Sequence, residues 1–526
     1  MEYLIEQLKI PIDEFISIED SLKKLFGKQY LNIKTFNIIK KSIDARDKAS
    51  IKLVFSLKIK SHKKILPQKA NNAKITRFVP EPTPYLTKKR IRNSRPVVVG
   101  LGPSGIFCAL RLLDYGITPI IIERGKKIEE RKSDVQSLWS SGLLDTESNP
   151  LFGEGGAGTY SDGKLTTQIN NPFNNYILEK LVFFGAPSDI LYEAKPHIGT
   201  DKLQIILKNI RNHLIEKGVT IHYSSVFSAL LTNQSVVQGI IINDILELKT
   251  EVVFLGIGHS AHDTYKNLYN SGIEMEPKPF ALGFRIEHSQ EAINKIQYGE
   301  KYKNHHLLGS SPYKLTFKSS QGRQVYSFCM CPGGQIICAS NQKNRLVING
   351  MSSHARNSGS ANSAIVVNIQ PDDFYQSSPM DGLAFIQHFE QKAYDLGQKP
   401  FFAPAQKLRD FLINRTTKTA LTTTYRPGNT PTNLHNIYPS FVNTALIDAF
   451  HYFDKVMTGF VSDEAVLLGV ETRTSSPVRF PRGKDGQHTM IKGLYPIGEG
   501  AGYAGGIMSA ALDGIKAVES LIASET

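Results

Sequence analysis

Pro96-Val-Val-Val-Gly100-Leu-Gly102-Pro-Ser-Gly105 limits what this chain can become more than any other stretch. Three consecutive valines make a strand short and apolar enough to be buried on both faces of a parallel sheet. The glycines that follow ask for a tight turn, a close backbone approach and a helix packed hard on the strand. That helix should run from Ser104 to about Asp114, with Gly116 ending it. A second strand, Thr118–Ile122, then closes at Glu123. Strand, helix and strand in so short a span commit the segment to a parallel, doubly wound α/β architecture.

This unit predicts a ligand. A helix N-terminus presents unpaired N–H groups and a partial positive charge to a pyrophosphate, which Gly100, Gly102, Pro103, Ser104 and Gly105 would approach. Glu123, eighteen residues after Gly105, ends the next strand where a carboxylate accepts ribose hydroxyls, with Arg124 beside it. The bare pattern of spaced glycines is weak evidence, because the chain matches it at Gly100, Gly153 and Gly500. Only the first match has a preceding strand, a following helix and the acid. The third lies in Leu494-Tyr-Pro-Ile-Gly498-Glu499-Gly500-Ala-Gly502-Tyr-Ala-Gly505-Gly506-Ile507, another glycine turn opening a helix. Two such turns suit FAD better than NAD. Glu499 is placed to bond a ribityl or pyrophosphate-proximal hydroxyl, and Gly505-Gly506-Ile507 could aim a helix dipole at the flavin ring. A transient NAD(P)H reductant is left open, since no second full dinucleotide motif occurs.

Charge divides the chain. Residues 1–95 hold 22 Lys and Arg against 9 Asp and Glu, leaving only +1 of the net +14 to the rest. The expected layout is a small basic α/β module at 1–60 and a proline-rich arm at 61–94. A Rossmann-like FAD-binding domain at 95–269 and 486–526 would then be interrupted by a β-rich α+β substrate domain at 270–485. Within these, Leu203–Lys217 reads as a helix, Val226–Leu231 and Val236–Ile242 as a hairpin, and Leu248–Leu255 as one strand. The basic module is either a solvated surface or a footprint for nucleic acid or another anionic partner. There is no signal-peptide pattern and no apolar run long enough to span a membrane. Four cysteines in 526 residues argue for a reducing, cytoplasmic setting rather than a disulfide scaffold.

Several long runs resemble a bacterial family of FAD-dependent dehydrogenases, of the NAD(P)/FAD-dependent oxidoreductase kind. They are Phe152-Gly-Glu-Gly-Gly-Ala-Gly-Thr-Tyr-Ser-Asp-Gly-Lys-Leu165, Gly258-His-Ser-Ala-His-Asp-Thr264, Pro279-Phe-Ala-Leu-Gly-Phe-Arg-Ile-Glu-His288, Tyr326-Ser-Phe-Cys-Met-Cys-Pro-Gly-Gly334, Asn349-Gly-Met-Ser352 and Leu494–Asp513. Position 262 is His where that family's pattern has Arg. The resemblance implies a glutathione-reductase-type FAD domain but no substrate. It also implies cofactor contacts at Gly100, Gly102, Ser104, Gly105, Glu123, Gly258, Glu499, Gly505 and Gly506, with Gly155 and Gly156 near the ring or the phosphates and Gly498 in the last turn.

The expected activity is hydride transfer between flavin and a small, anionic substrate. Alternatives are an RNA-associated flavoprotein and a non-catalytic electron carrier. Cations and imidazoles fall in the shared runs, and Lys164, His259 and Arg285 lead them as catalytic candidates, with His288, Arg345, His354, Arg356 and Arg473 behind. Cys329 and Cys331, two apart in a strand, could share a face as a redox pair or simply pack beneath a hairpin. No metal site is expected, since Cys329, Cys331 and Cys338 lack a fourth ligand.

Overall fold

The computed structural model describes residues 1–64, 73–79 and 94–524. Five strands form the parallel sheet that Pro96–Glu123 anticipates. Their order is Leu494–Pro496, Val253–Leu255, Val97–Val99, Ile120–Ile122 and Thr220–His222. All three valines of the central strand are buried, with helices packed on one face and the strands from Phe227 to Ile242 and helix His262–Asn270 on the other. Helices Pro103–Asp114 and Ile507–Ser524 pack against one another with almost no room between them. A Cβ built on Gly514 would lie 2.2 Å from the Ser104 carbonyl oxygen. The two glycine turns, distant in sequence, are thus joined by helices in backbone contact. We expect Gly514→Ala to cost about 1–3 kcal/mol by overpacking, read as a lower denaturant midpoint with an unchanged slope.

The expected strand Leu248–Leu255 is two strands. Leu246–Lys249 pairs with Val236–Ile242, which also pairs with Phe227–Asn233, while Val253–Leu255 enters the parallel sheet. Thr250 marks the break, its hydroxyl donating to the Arg95 carbonyl at 3.0 Å. The break falls at the polar run Lys249-Thr250-Glu251, but Leu246, Leu248 and Val252 keep one period of two across it, so alternation does not reveal it.

Residues 270–485 build more order than their polar composition suggests. Seven strands form one sheet in the order Thr316–Lys318, Gln324–Cys331, Ser360–Ile369, Phe280–Ser289, Val466–Glu471, Ala403–Lys407 and Asn429–Pro431. Phe280–Ser289 and Ser360–Ile369 pair over ten residues and are buried almost throughout, with Arg285, Glu287, Asn362 and Ser363 inside. A strand buried on both faces shows no alternation, which is why sequence periodicity finds isolated strands there. Helices Asp381–Gly397 and Ser440–Val456 complete its core.

At the N-terminus, Ile33–Asp44, Lys52–Ser61, Glu2–Pro11 and Lys74–Arg77 form an antiparallel sheet in that order. Helix Ile18–Phe26 covers one face, and Tyr298, Tyr302 and Leu308 close the same core. The expected arm therefore contributes a strand, Lys74–Arg77. Most of that arm, including Pro80, Pro82 and Pro84, lies outside the described residues. Among the described residues no helix is long and apolar enough to cross a membrane.

Candidate active site

The carboxyl ends of the parallel strands open on one cavity. Gly100, Glu123, Gly256 to Gly258 and Glu499 all lie on its wall. It holds about 1500 Å³ of free space, open mouth included. At the first turn the Ser104 and Gly105 N–H groups have no protein acceptor among the described residues. Gly102 has ordinary extended backbone, with φ −81° and ψ −175°. A Cβ there would meet nothing nearer than the Gly156 Cα at 3.9 Å. On Gly258 or Gly506, also wall residues, it would reach open space. The Ser260 hydroxyl is buried on the same wall with no hydrogen-bond partner among the described residues. Free helix N–H groups, glycine cradles and an orphaned hydroxyl fit an extended, phosphate-bearing cofactor.

Glu123 organises the turns around the end of its own strand. One carboxylate oxygen accepts the Leu101 N–H at 2.8 Å and the other accepts Gly125 and Gly153 N–H groups, both at 2.9 Å. About four lone-pair positions are available on a carboxylate, so room for one further donor remains. Arg124 is a clamp rather than a free cation. It stacks over Phe152 at 4.1 Å and donates to Glu147 and to both oxygens of Asp263.

The second glycine match, Gly153 to Gly158, is expected to be a loop; only its first half is one, since Gly156–Tyr160 forms a short 3-10 helix, and the run folds onto the first turn. The Gly155 N–H donates to the Leu101 carbonyl at 2.8 Å, and Gly156 and Gly158 face the cavity. Arg131, fully buried in helix Ile128–Ser141, fastens this loop by donating to the carbonyls of Asn149, Glu154 and Gly156 at 2.6–2.9 Å. A lone arginine in a helix carries no sequence signal for such a role, and only the fold shows it.

At the other end His259 lies between Glu499, 3.1 Å from Nδ1, and the Arg473 carbonyl, 2.9 Å from Nε2. Both neighbours are acceptors, so the ring meets both only by donating from each nitrogen. The second Glu499 oxygen accepts the Gly506 N–H. Burial works to raise the Glu499 carboxyl, but the His259 hydrogen bond and charge outweigh it and hold it below the usual range. Arg473 is pinned by both oxygens of Glu390 at 2.9 and 3.0 Å. Lys164 differs from these cations. Its ammonium donates to the Met330 carbonyl and lies 4.0 Å from Asp162, which Arg356 and Ser352 already bond. Lys164 therefore keeps N–H donors on the cavity wall.

Other candidates stand elsewhere. Arg285 is fully buried and off the cavity wall, donating to Glu471, Asn362, Asn349 and the Cys329 carbonyl. With its donors spent inside the sheet it is a brace, not a substrate-binding group. Cys329 and Cys331 both reach the cavity, but the strand bulges between Phe328 and Cys331 and Cys329 takes φ +42°. Cys331 is buried, which raises its thiol, the opposite of what a thiolate-based redox pair needs, while Cys329 is exposed. Gly105, Gly155 and Gly498 lie buried behind the wall, and Gly505 is exposed and off it. A Cβ on Gly105 would fall 1.9 Å from the Gly100 oxygen, and one on Gly498 2.5 Å from the Ser104 hydroxyl. His288, Arg345, His354 and Arg356 are likewise off the wall. His262 is buried against Gln387, and burial holds its imidazole well below its ordinary value, so it offers no cation to an anion. Among the described residues no cluster could hold a metal ion.

Residues 279–474 match the family model described as FAD-dependent protein, C-terminal domain-like. That range coincides with the seven-stranded sheet. A Clostridium beijerinckii protein described as uncharacterized is 41% identical over 528 residues, covering 99% of this chain and 99% of the relative. Solved structures with similarity include a flavin-dependent brominase, Bmp2, 13% identical over 82% of this chain and 80% of its own, with a TM-score of 0.36. A geranylgeranyl bacteriochlorophyll reductase-like protein from Thermoplasma acidophilum is 12% identical over 84% of this chain and 79% of its own, with a TM-score of 0.35. Scores that low say nothing about the reaction of this chain. The full-length relative and the match across the large sheet place the chain in the family of FAD-dependent proteins, with FAD as its cofactor.

Proposed function

We propose that the chain is a cytoplasmic FAD-dependent oxidoreductase of the glutathione-reductase kind, a dehydrogenase acting on a small anionic substrate. One observation carries the reading. The cavity that begins at the first glycine turn continues to the Phe328–Cys331 bulge of the large sheet, so cofactor and substrate would share one continuous cavity. Residues 95–269 and 486–526 would hold the cofactor and 270–485 the substrate. Gly100, Gly102, Pro103 and Ser104 would receive the pyrophosphate and Glu123 the ribose, with Gly156, Gly258, Glu499, Gly506 and Ile507 along the remainder. When bound, FAD supplies a two-electron acceptor and donor at the flavin ring.

The residues of the chain do the rest. Lys164 offers its spare ammonium donors to an anionic group and orients it. His259 spends Nδ1 on Glu499 and Nε2 on the Arg473 carbonyl, so it would hold Glu499 in place on the wall rather than exchange a proton with substrate. Phe328 and the buried Cys331 line that end of the cavity.

The test begins with anaerobic titration of the FAD-loaded protein by candidate reductants, following flavin absorbance. Bleaching by a small carboxylate or phosphate-bearing reductant is expected, and NADPH serves as a parallel arm. Lys164→Met should retain FAD and lose about tenfold or more in kcat/KM on whichever anionic reductant works, as a charged hydrogen bond of 1.5–3 kcal/mol implies. Unchanged kinetics in that variant would remove Lys164 from the substrate site. A flavin that no reductant of either class bleaches would overturn the dehydrogenase reading.

A further inference from the structure

Two β-bulges meet at one residue of the N-terminal sheet. Ile5 pairs with Leu57 and Leu8 with Phe55, so Glu6 and Gln7 together oppose Ser56. On the other flank Ile38 pairs with Leu57 and Lys40 with Ser56, leaving Ile39 as the extra residue. Gln7 takes φ +59°, a left-handed conformation that a non-glycine residue adopts at a cost. A bulge bends its strand and re-aims its side chains. Two of them at one level open a groove with about 740 Å³ of free space, open mouth included, on the face away from helix Ile18–Phe26.

The groove's chemistry is one-sided. Lys9 and Lys40 reach in from opposite strands, with Ser42, Ser56 and Gln7 between them. Arg46 is engaged by Asp44, its Nε 2.8 Å and its Nη2 2.6 Å from the carboxylate. Neither Lys9 nor Lys40 has a carboxylate within ion-pair distance among the described residues. The lining therefore carries a net charge of +2 and offers ammonium, hydroxyl and amide donors, while its one carboxylate is already taken. A dianion with several oxygens matches that inventory in both charge and geometry, where a single carboxylate would leave half of it unused.

We propose that this groove binds a phosphate monoester, at a site separate from the FAD cavity and independent of the reaction assigned to it. The FAD-loaded, full-length protein would be titrated calorimetrically at low ionic strength with inorganic phosphate and with glycerol 3-phosphate, and sedimented with vesicles containing phosphatidate. Saturable binding is expected, weakened about tenfold in Lys9→Ala and in Lys40→Ala by loss of one charged contact. Lys60→Ala, on the same strand face but outside the groove, should bind like the unaltered protein. Capture by glycerol 3-phosphate alone identifies a soluble ester, and capture by the vesicles identifies a lipid headgroup. Three results would overturn the site: no binding in any arm, an equal loss in Lys60→Ala, or tighter binding of a single-stranded oligonucleotide that lacks a terminal phosphate.

Discussion

Gly102→Val should fold normally and emerge from purification without bound flavin. Its backbone sits at φ −81°, where a β-branched residue is at ease, and its Cβ would touch only the Gly156 Cα, at 3.9 Å. The added side chain would then project where the pyrophosphate must approach the Ser104 and Gly105 N–H groups. Loss of two charge-assisted hydrogen bonds at about 1.5–3 kcal/mol each weakens FAD about 10²- to 10⁴-fold. The ratio of flavin to protein absorbance measures it, and a circular dichroism melt confirms the fold. Gly105→Val is the contrasting variant. Its Cβ would fall 1.9 Å from the Gly100 oxygen, so that variant should fail to fold rather than fail to bind. Full flavin occupancy in Gly102→Val would mean the cofactor lies elsewhere.

Arg285→Ala should destabilise the protein by about 3–5 kcal/mol, the range for breaking a buried ion pair from one side. The loss strands Glu471 in the centre of the seven-stranded sheet, 2% exposed and without its cation. Burial already raises the Glu471 carboxyl against the pull of Arg285. Without Arg285 only the charge of His259 opposes that rise, so the folded state holds a proton that the unfolded state releases above about 4.5. Stability in the variant should therefore be greatest at acid pH and fall as pH rises through the elevated folded value. Thermal melts from pH 5 to pH 8 would show the slope. Adding Glu471→Leu should recover most of the loss, because two apolar groups leave nothing unpaired. A catalytic Arg285 would behave otherwise, with normal melts, a lost rate and no rescue by Glu471→Leu.

The cofactor end was the legible part of the chain. Glycine spacing, a valine strand and an acid at the next strand end are local signals, each tied to backbone conformation a few residues away. They fixed the Pro103–Asp114 helix to within a residue of its start and identified Glu123 and Gly102 as cavity residues. Where a signal needed burial or pairing, it faded. Val253–Leu255 could not be told from Leu246–Lys249 because hydrophobicity does not record which sheet a strand joins. Arg285 and Lys164 looked alike as cations beside glycines, yet one is fully buried and the other keeps donors on the wall. Cys329 and Cys331 looked like strand neighbours on a shared face until a bulge separated them.

The sequence by itself determined the ligand class, the strand–turn–helix that receives it and the concentration of charge in the first 95 residues. Only the tertiary structure decided which cations are spent and which are available, how the Gly153 loop closes over the first turn, and that two bulges converge on Ser56. The reason is physical. A glycine turn is dictated by the steric limits of a few consecutive residues, whereas the state of a charge depends on partners that the chain delivers from hundreds of positions away.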